Sequence, residues 1–572
     1  MKLVLGYIKP HVKRMTVGVI IKLIGAFMDL LLPWFLAYMI DTVVPLESIP
    51  SILLWGGVML ICAALALITN IVANRIATRV ARDTTETLRQ ELFEKTLSLS
   101  CAQIDRLTIP SLESRLTTDT YNIYQIIGMM QRMGIRAPIL LFGGILVTLT
   151  LEPVLTLVLI SVLPFIALTV FLVSKKGIAL YTKLQQAVDT LVRTVRENIA
   201  GIRVIKALSK TEYEKEKAFG INSDVTEKEK KAGAVMALTN PAMNLFLNIG
   251  LTLVIVVGAF RVDAGLTQPG KIIAFLSYFT IILMAMMAVT RIFVMYSKAA
   301  ASAKRIEEVF RQPEDLAPQR LRPVSSEAHI VFDHVSFSYH KKEHNLSDIS
   351  FRLMRGETLG IIGATGSGKS TLIQLLMRLY DADSGQISID GRPLASIPEE
   401  ELHTLFGVVF QNDVLFADSI EENINFGRDL SREAVETAAD LAQAAVFIEN
   451  TEDGYGHRLT SRGTNLSGGQ KQRLLIARAL AADPDILILD DSSSALDYAT
   501  DAKLRGALRN TKRDTTVIII AQRVSSIRHA DHILMLEEGR MLGYGTHEEL
   551  MEQCGIYKEI HDLQMGEKRR AS

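Results

Sequence analysis

Six stretches in the N-terminal half stay apolar for about 20 residues or more, enough to cross the ~30 Å hydrocarbon core of a bilayer as helices. They run from about Met15 to Ile40, Ile52 to Ala73, through "APILLFGGILVTLTL" from Ala137, then Val154 to Ser174, Ala234 to Phe260 and Ile272 to Met295. A soluble helix would carry a polar stripe, whereas these are apolar nearly all round. The mean hydropathy of +0.24 reflects this concentration. The opening "MKLVLGYIKPHVKR" is a short amphipathic piece with no small-residue cleavage site after it, so a cleaved signal peptide is not expected.

Basic residues orient the spans. Lys2, Lys9, Lys13 and Arg14 precede the first, and Arg75, Arg79 and Arg82 follow the second. Those sides are expected in the cytoplasm. The loop expected between them, "DTVVPLESIP", has no Lys or Arg and is expected outside. By alternation the third-to-fourth and fifth-to-sixth connections are external and very short. The charged stretches from about Arg75 to Gln125 and Lys175 to Lys231 read as helices continuing into the cytosol, with "IPSLESRLTTDT" and "ENIAGIRVIKALSKTE" at their tips.

Polar groups inside the spans are costly in lipid and single themselves out. Asn240, Asn244 and Asn248 share one face of the fifth span. Either they hydrogen-bond to neighbouring helices, as Asn does in membranes, or they line a wet cavity that a substrate enters. Lys22 and Asp29 lie in the first span and Arg291 in the sixth. Phe275, Tyr278, Phe279, Ile282 and Met286 share a face of the sixth span, which suits packing and also a loosely specific apolar pocket. The candidate substrate path is therefore Asn240, Asn244, Asn248, Phe279, Met286 and Arg291. Asp41 stands where the first span leaves the membrane, either as an ordinary end residue or as part of an outer gate.

At 572 residues the chain exceeds one ordinary domain. Its 62 basic and 62 acidic side chains balance, which gives no argument for a nucleic-acid partner. Cys62, Cys101 and Cys554 form no CxxC or Cys/His cluster, so neither a zinc site nor a disulfide framework is supported. The character changes near Arg305. Residues 1–310 form the all-α membrane domain. Residues 311–328, punctuated by Pro313, Pro318 and Pro323, form a linker. Residues 329–572 alternate short aliphatic strands with helices, the pattern of an α/β domain.

In that domain "ETLGIIGATGSGKSTLIQLL" puts GxxxxGK[ST] between a strand and a helix. Gly363, Ala364, Thr365, Gly366, Ser367, Gly368, Lys369, Ser370 and Thr371 are the loop and its helical continuation. The glycines let backbone N–H groups turn toward phosphate oxygens, and the helix start adds a favourable dipole. Lys369 is expected on the β/γ-phosphates and the Ser370 hydroxyl on Mg²⁺. "LILDD" ends an apolar strand in Asp490 and Asp491. The first carboxylate suits Mg²⁺, and the second, one residue on, suits the attacking water. "NLSGGQKQRLLIARAL" from Asn465 opens another helix with a Ser and two glycines, a phosphate-binding start that one chain cannot easily aim at its own γ-phosphate.

With these residues read, the chain resembles an exporter-type half-transporter of the ABC superfamily over nearly its whole length. The resemblance implies six long helices followed by an ABC-type P-loop ATPase domain, with ATP and Mg²⁺ as cofactors. It assigns Tyr339 of "VSFSY" to stacking on adenine, Gln411 of "VVFQNDVLF" to Mg²⁺ or the attacking water, Leu466, Ser467, Gly468, Gly469 and Gln470 to the signature, and Ser494 to Asp497 to a loop crossing a dimer interface. It implies two domains closing head to tail, each ATP held between one phosphate loop and the other chain's signature. Two positions depart from the family: Asp491 where Glu is usual, and Gln522 of "IIIAQRVSS" where His is usual. Ser461 also stands in place of an acidic residue. Asp491 is one methylene short, Gln522 cannot become cationic, and losing a well-placed general base costs about 10²–10⁴ in rate.

The chain therefore resembles the degenerate-site subunit of bacterial heterodimeric multidrug exporters. Expected partners are a second, different half-transporter, membrane lipid and a hydrophobic drug-like or lipid-like substrate, with no nucleic acid. Expected placement is the cytoplasmic membrane, with the nucleotide domain and both termini in the cytoplasm. Two other readings stand: a slow homodimeric pump, and a membrane regulator that signals by ATP-driven closure without moving solute.

Overall fold

A computed structural model describes residues 1–570 except 314, 324–325, 340, 342–343, 493–495 and 512–513, and omits the side chains of 170, 174, 239, 290, 498, 509–511 and 565–570. The chain forms two compact units. One comprises Met1–Leu97 and Pro110–Arg311, the other Ser98–Ile109 and Gln312–Ser572.

In the first unit, six helices among the described residues are long and apolar enough to cross a membrane: Lys2–Leu46, Ile49–Leu97, Ile109–Leu151, Pro153–Ala200, Thr211–Asp263 and Pro269–Phe310. The second of these has 49 residues. At 1.5 Å per residue it is roughly 70 Å long, more than twice a hydrocarbon core. Charged ends and apolar middles thus belong to the same continuous helices.

Buried polar pairs register the bundle, because in an apolar setting an unpaired polar group is costly. Lys22 donates to Asn70 at 2.8 Å and to Asn74 at 2.9 Å. Arg136 bonds Asp29 at 2.7 Å. Asp119 accepts from Ser302 at 2.8 Å and from Arg305 at 2.8 Å, and Asn122 donates to Ser302 at 3.0 Å. Two π-helical turns, Arg115–Asp119 and Met130–Gly134, interrupt the third helix beside these pairs.

Two expectations are corrected. "DTVVPLESIP" is not a loop: Met39–Val43 and Val44–Leu46 remain helical, and the turn is confined to Glu47 and Ser48. Helical backbone satisfies its own polar groups at a membrane edge, which loop backbone cannot. "IPSLESRLTTDT" is not the first of the two helical tips. That tip is Ser98–Ile109, where Ser100 and Gln103 form a capping box over the short helix Cys101–Leu107, and Thr108, at φ 64°, breaks it. Ile109 onward is already the returning helix, in which Pro110 occupies a tolerated early position. The second tip, around the short helix Ile202–Ala207, lies inside the run that the sequence indicates.

Although the sequence assigns all of 1–310 to the membrane domain, Ser98–Ile109 belongs to the second unit. Asp105 accepts from the Tyr380 hydroxyl at 2.6 Å, Gln103 donates to Pro313 O at 2.8 Å, and Ser100 donates to Asp315 at 2.9 Å. The proline-marked linker is likewise tied down in part: Gln319 N donates to Ala395 O at 2.6 Å, and Arg378 donates to Ala317 O at 3.2 Å.

The second unit contains ten strands among its described residues: β1 (Ile330–Phe337), β2 (Leu346–Leu353), β3 (Thr358–Gly363), β4 (Ser384–Ile389), β5 (Arg392–Pro393), β6 (Phe406–Val409), β7 (Ile486–Asp490), β8 (Thr516–Ile520), β9 (His532–Glu537) and β10 (Arg540–Gly545). An antiparallel sheet has the order β2-β1-β4-β5, and a six-stranded sheet the order β10-β9-β3-β8-β7-β6. The pairs from β9 to β6 are parallel, so their carboxyl ends lie on one side. Every residue of β7 is buried, as a parallel strand covered on both faces requires. A helical lobe, including Ile420–Asn425, Arg432–Leu441 and Gly468–Leu480, packs its own apolar core against β6 and β7.

Candidate functional site

The sheet order explains how four distant segments meet. β3, β8, β7 and β6 are consecutive neighbours. The chain leaves their carboxyl ends as Ala364–Ser370, Gln522, Asp490–Asp491 and Gln411 respectively. Crevices at the carboxyl ends of parallel strands are the usual ligand positions in such sheets. Here they form a cavity of 250 Å³ lined by Asn345, Thr365, Gly366, Gly368, Lys369, Ser370, Thr371, Gln411, Asp490, Asp491, Ile520 and Gln522.

The loop after β3 has the backbone of an anion cradle. Gly366 and Gly368 adopt φ of 85° and 100°, which only glycine takes without strain. A Cβ at Gly368 would also stand 2.9 Å from Asn345 O. The helix Lys369–Leu376 starts here, its first N–H groups unpaired within the helix. Lys369 turns back onto the loop, donating to Gly363 O at 2.9 Å and Ala364 O at 2.8 Å. Its charge meets neutral carbonyls, and burial lowers its pKa. Among the described residues the buried Ser367 hydroxyl has no hydrogen-bond partner. A desolvated cation, an orphan hydroxyl and free N–H groups at a helix start fit a polyphosphate.

The two adjacent carboxylates diverge. Asp490 still pairs with β8 opposite Ile520, is 5% exposed, and accepts from the Ser370 hydroxyl at 3.0 Å. Burial raises its pKa, opposed by Ser370. Asp491 N donates to Ile520 O at 3.0 Å, and its φ of 50° ends the strand. Asp491 is half-buried, and Gln522 Nε2 donates to its Oδ2 at 3.2 Å. Burial raises the Asp491 pKa, while Lys369 and then Arg523 pull it down. Ser370, Asp490 and Gln411 supply hydroxyl, carboxylate and amide oxygens, a hard donor set suited to Mg²⁺.

Other expected residues lie elsewhere. Ser467 and Gln470 form a capping box at the start of Gly468–Leu480, with Ser467 accepting from Gln470 N at 3.3 Å. Ser467 and Gly468 face solvent, and none of Leu466–Gln470 lines the 250 Å³ cavity. Asp497 caps the next helix by accepting from Thr500 N at 2.9 Å. Of the rest of its loop, Ser494 lies outside the described residues. Tyr339 stands beside the cavity, not in its lining. Its hydroxyl donates to Gln374 at 2.5 Å, and its ring meets Phe337 and Tyr380 edge-on at 4.9 and 5.2 Å.

In the membrane unit Asn240, Asn244, Asn248 and Arg291 are exposed and Met286 is half-buried. Phe279, expected on a substrate path, is 2% exposed and packs where a Cβ on Gly250 would stand 2.3 Å from its ring, within a core that includes Phe275 and Ile282. Small Gly250 admits the ring, so Phe279 serves helix packing. Asp41 accepts from Gly270 N at 2.6 Å and Lys271 N at 3.1 Å, capping the sixth helix. Asn345 was missed by sequence reasoning. It lines the cavity and accepts from Tyr339 N at 3.0 Å, and its nearness to Tyr339 in the chain was the available signal.

Residues 15–286 match the family described as ABC transporter transmembrane region, and residues 346–494 match the family described as ABC transporter. The chain is 35% identical to the uncharacterized ABC transporter ATP-binding protein YfiB of Bacillus subtilis (strain 168), over 99% of both chains. It is 32% identical to the uncharacterized ABC transporter ATP-binding protein Rv1273c of Mycobacterium tuberculosis, over 97% of this chain and 96% of the other. A solved bacterial Atm1-family ABC exporter with ATP bound superposes with a TM-score of 0.81 at 25% identity, covering 96% of this chain and 98% of that one.

Proposed function

This chain belongs to the ABC transporter family, as a half-transporter whose ATPase domain drives transport, and we propose that it is the hydrolysis-poor subunit of a heterodimeric exporter. ATP lies on the loop Gly363–Ser370 with its phosphates on Lys369, and Tyr339 carries the adenine. Ser370, Asp490 and Gln411 would hold Mg²⁺, which would supply positive charge to offset that of the phosphates.

One observation carries the reading: Gln522 Nε2 donates to Asp491 Oδ2 at 3.2 Å. The carboxylate available to a water is short and already engaged by an amide. That amide can donate a hydrogen bond but cannot add positive charge near a γ-phosphate. A poorly placed base forfeits about 10²–10⁴ in rate. The signature Leu466–Gln470 follows the family pattern throughout and presents Ser467 and Gly468 to solvent. The partner chain supplies Glu and His to its own ATP, and hydrolysis runs between its phosphate loop and this signature. ATP held here keeps the pair partly closed while the other site turns over.

Cargo is hydrophobic or amphipathic and moves outward across the cytoplasmic membrane, with the nucleotide domain and both termini in the cytoplasm. Support for this cargo is the apolar, aromatic and Met-bearing character of the spans, Met286 among them, while the exposed Asn240/Asn244/Asn248 face and Arg291 suit the polar part of an amphipathic compound. The test is ATPase activity and vesicle uptake of a fluorescent amphiphile by the chain alone and by the assembled pair. Turnover and uptake only in the pair are expected. Vigorous ATPase by the lone chain points to a homodimeric pump, and ATPase in the pair without uptake of any substrate points to a regulator.

A further inference from the structure

The membrane unit holds an open groove of 630 Å³ lined by Lys13, Arg14, Val17, Ile76, Arg79, Val80, Arg82 and Asp83, between the first two spanning helices. Four cations face one carboxylate. Asp83 is shared by Arg82 at 2.7 Å and Arg14 at 3.3 Å, so it offsets only part of that charge. Lys13, Arg14, Arg79 and Arg82 are all exposed, and Glu86, which acts on Arg82, lies outside the lining.

The groove is closed at one end and apolar on its floor. A Cβ on Gly18 would stand 3.0 Å from Ile76, so the helices touch there. The bonds from Lys22 to Asn70 and Asn74 hold them together beyond that point. Toward the other end the helices are joined again by the Tyr7–Glu91 hydrogen bond. Val17 continues into exposed Ile20 and Ile24 on one helix, and Ile76 into exposed Val72 on the other.

Position decides the occupant. Lys13 and Arg14 directly precede the first apolar stretch at Met15, and Arg79 and Arg82 follow the end of the second at Ala73 by six and nine residues. At 1.5 Å per residue that is roughly 9–14 Å, the depth of a headgroup layer beside hydrocarbon. Cationic pockets between helices at that level suit lipid phosphates. We propose that this groove binds one anionic glycerophospholipid, its phosphate among Lys13, Arg14, Arg79 and Arg82 and its acyl chains along Val17, Ile20 and Val72. A free phosphate would leave the apolar floor unused.

Native mass spectrometry of the purified full chain in its assembly, titrated with phosphatidylglycerol against phosphatidylcholine, tests this. One phosphatidylglycerol per chain is expected, retained in preference to phosphatidylcholine. Lys13→Gln with Arg79→Gln should weaken it about tenfold. Asp83→Asn should tighten it, a gain that neither misfolding nor lost assembly can produce. Lys175→Gln with Lys176→Gln, cations at the boundary of the fourth span, should leave it unchanged. Equal loss in that control pair, equal retention of phosphatidylcholine, no tightening in Asp83→Asn, or displacement by inorganic phosphate at the same concentration would each overturn the proposal.

Discussion

The phosphate loop after β3 and the helix start at Ser467 are two anion-seeking ends of one domain, and they are finished differently. Around Lys369 the loop is backed by Asp490, Asp491 and Gln522 in one cavity. Around Ser467 there is a self-contained capping box, with Ser467 and Gly468 open to solvent. The first end carries two carboxylates, one on the Ser370 hydroxyl and one on the Gln522 amide. The second carries only backbone dipole and a hydroxyl, and cannot act on the nucleotide of its own cavity. On the proposed reading, a domain built this way would hold ATP with one end and serve another ATP with the other. In this chain two departures from the family pattern, Asp491 and Gln522, touch the first end, and the third, Ser461, precedes the signature and leaves Leu466–Gln470 itself unaltered.

The largest effect should come from the second end. Ser467→Arg removes the cap and places bulk and charge where a phosphate is expected, and ATPase of the assembled pair should fall about 10²–10³-fold, as for loss of a charge-stabilising donor. If the pair keeps its rate, hydrolysis does not use this signature. Lys369→Ala removes a charge-assisted contact, so ATP binding at the first end should weaken about 10–100-fold. Equilibrium binding to the pair should then show one occupied site instead of both, with a smaller drop in turnover.

Restoring the first end should move the rate upward. Asp491→Glu with Gln522→His should raise ATPase of the pair by up to about twofold, well short of the full value of a general base because the other site already turns over. Unchanged kinetics would count against a chemically deficient site. The smallest effect belongs to Asp491→Asn, which should change turnover less than about twofold. The sign of its pH dependence sharpens this. Burial raises the Asp491 pKa, so if Asp491 were the base, activity would be lost on acidification at higher pH than for a free carboxylate. The acid limb of the wild-type profile should therefore be the same in Asp491→Asn; a shifted limb would assign the base to Asp491.

Much of this was legible because its physics is local. A run such as Ile52–Ala73 must be a helix in lipid whatever surrounds it, and Gly366, Gly368 and Lys369 carry their backbone requirements in their own identities. Legibility failed where a side chain's task depends on a distant neighbour. The run "IPSLESRLTTDT" read as a tip, yet the break sits at Thr108 and Ile109 starts the returning helix. Phe279 looked available to a ligand until Gly250 on the preceding helix made room to bury it. Asp41 reads as an end residue or a gate, and it caps a helix that begins more than two hundred positions later.

By itself the sequence determined six spans and a phosphate-binding loop, since hydropathy and glycine backbone freedom are properties of the residues alone, and the signature and the departures at Asp491 and Gln522 followed from its resemblance to the family. Only the tertiary structure decided that Gln522 reaches Asp491, that Ser98–Ile109 packs with the nucleotide domain, and that four cations from two helices share a groove. Those facts depend on sheet order and helix pairing, which bring together groups that the chain itself keeps far apart.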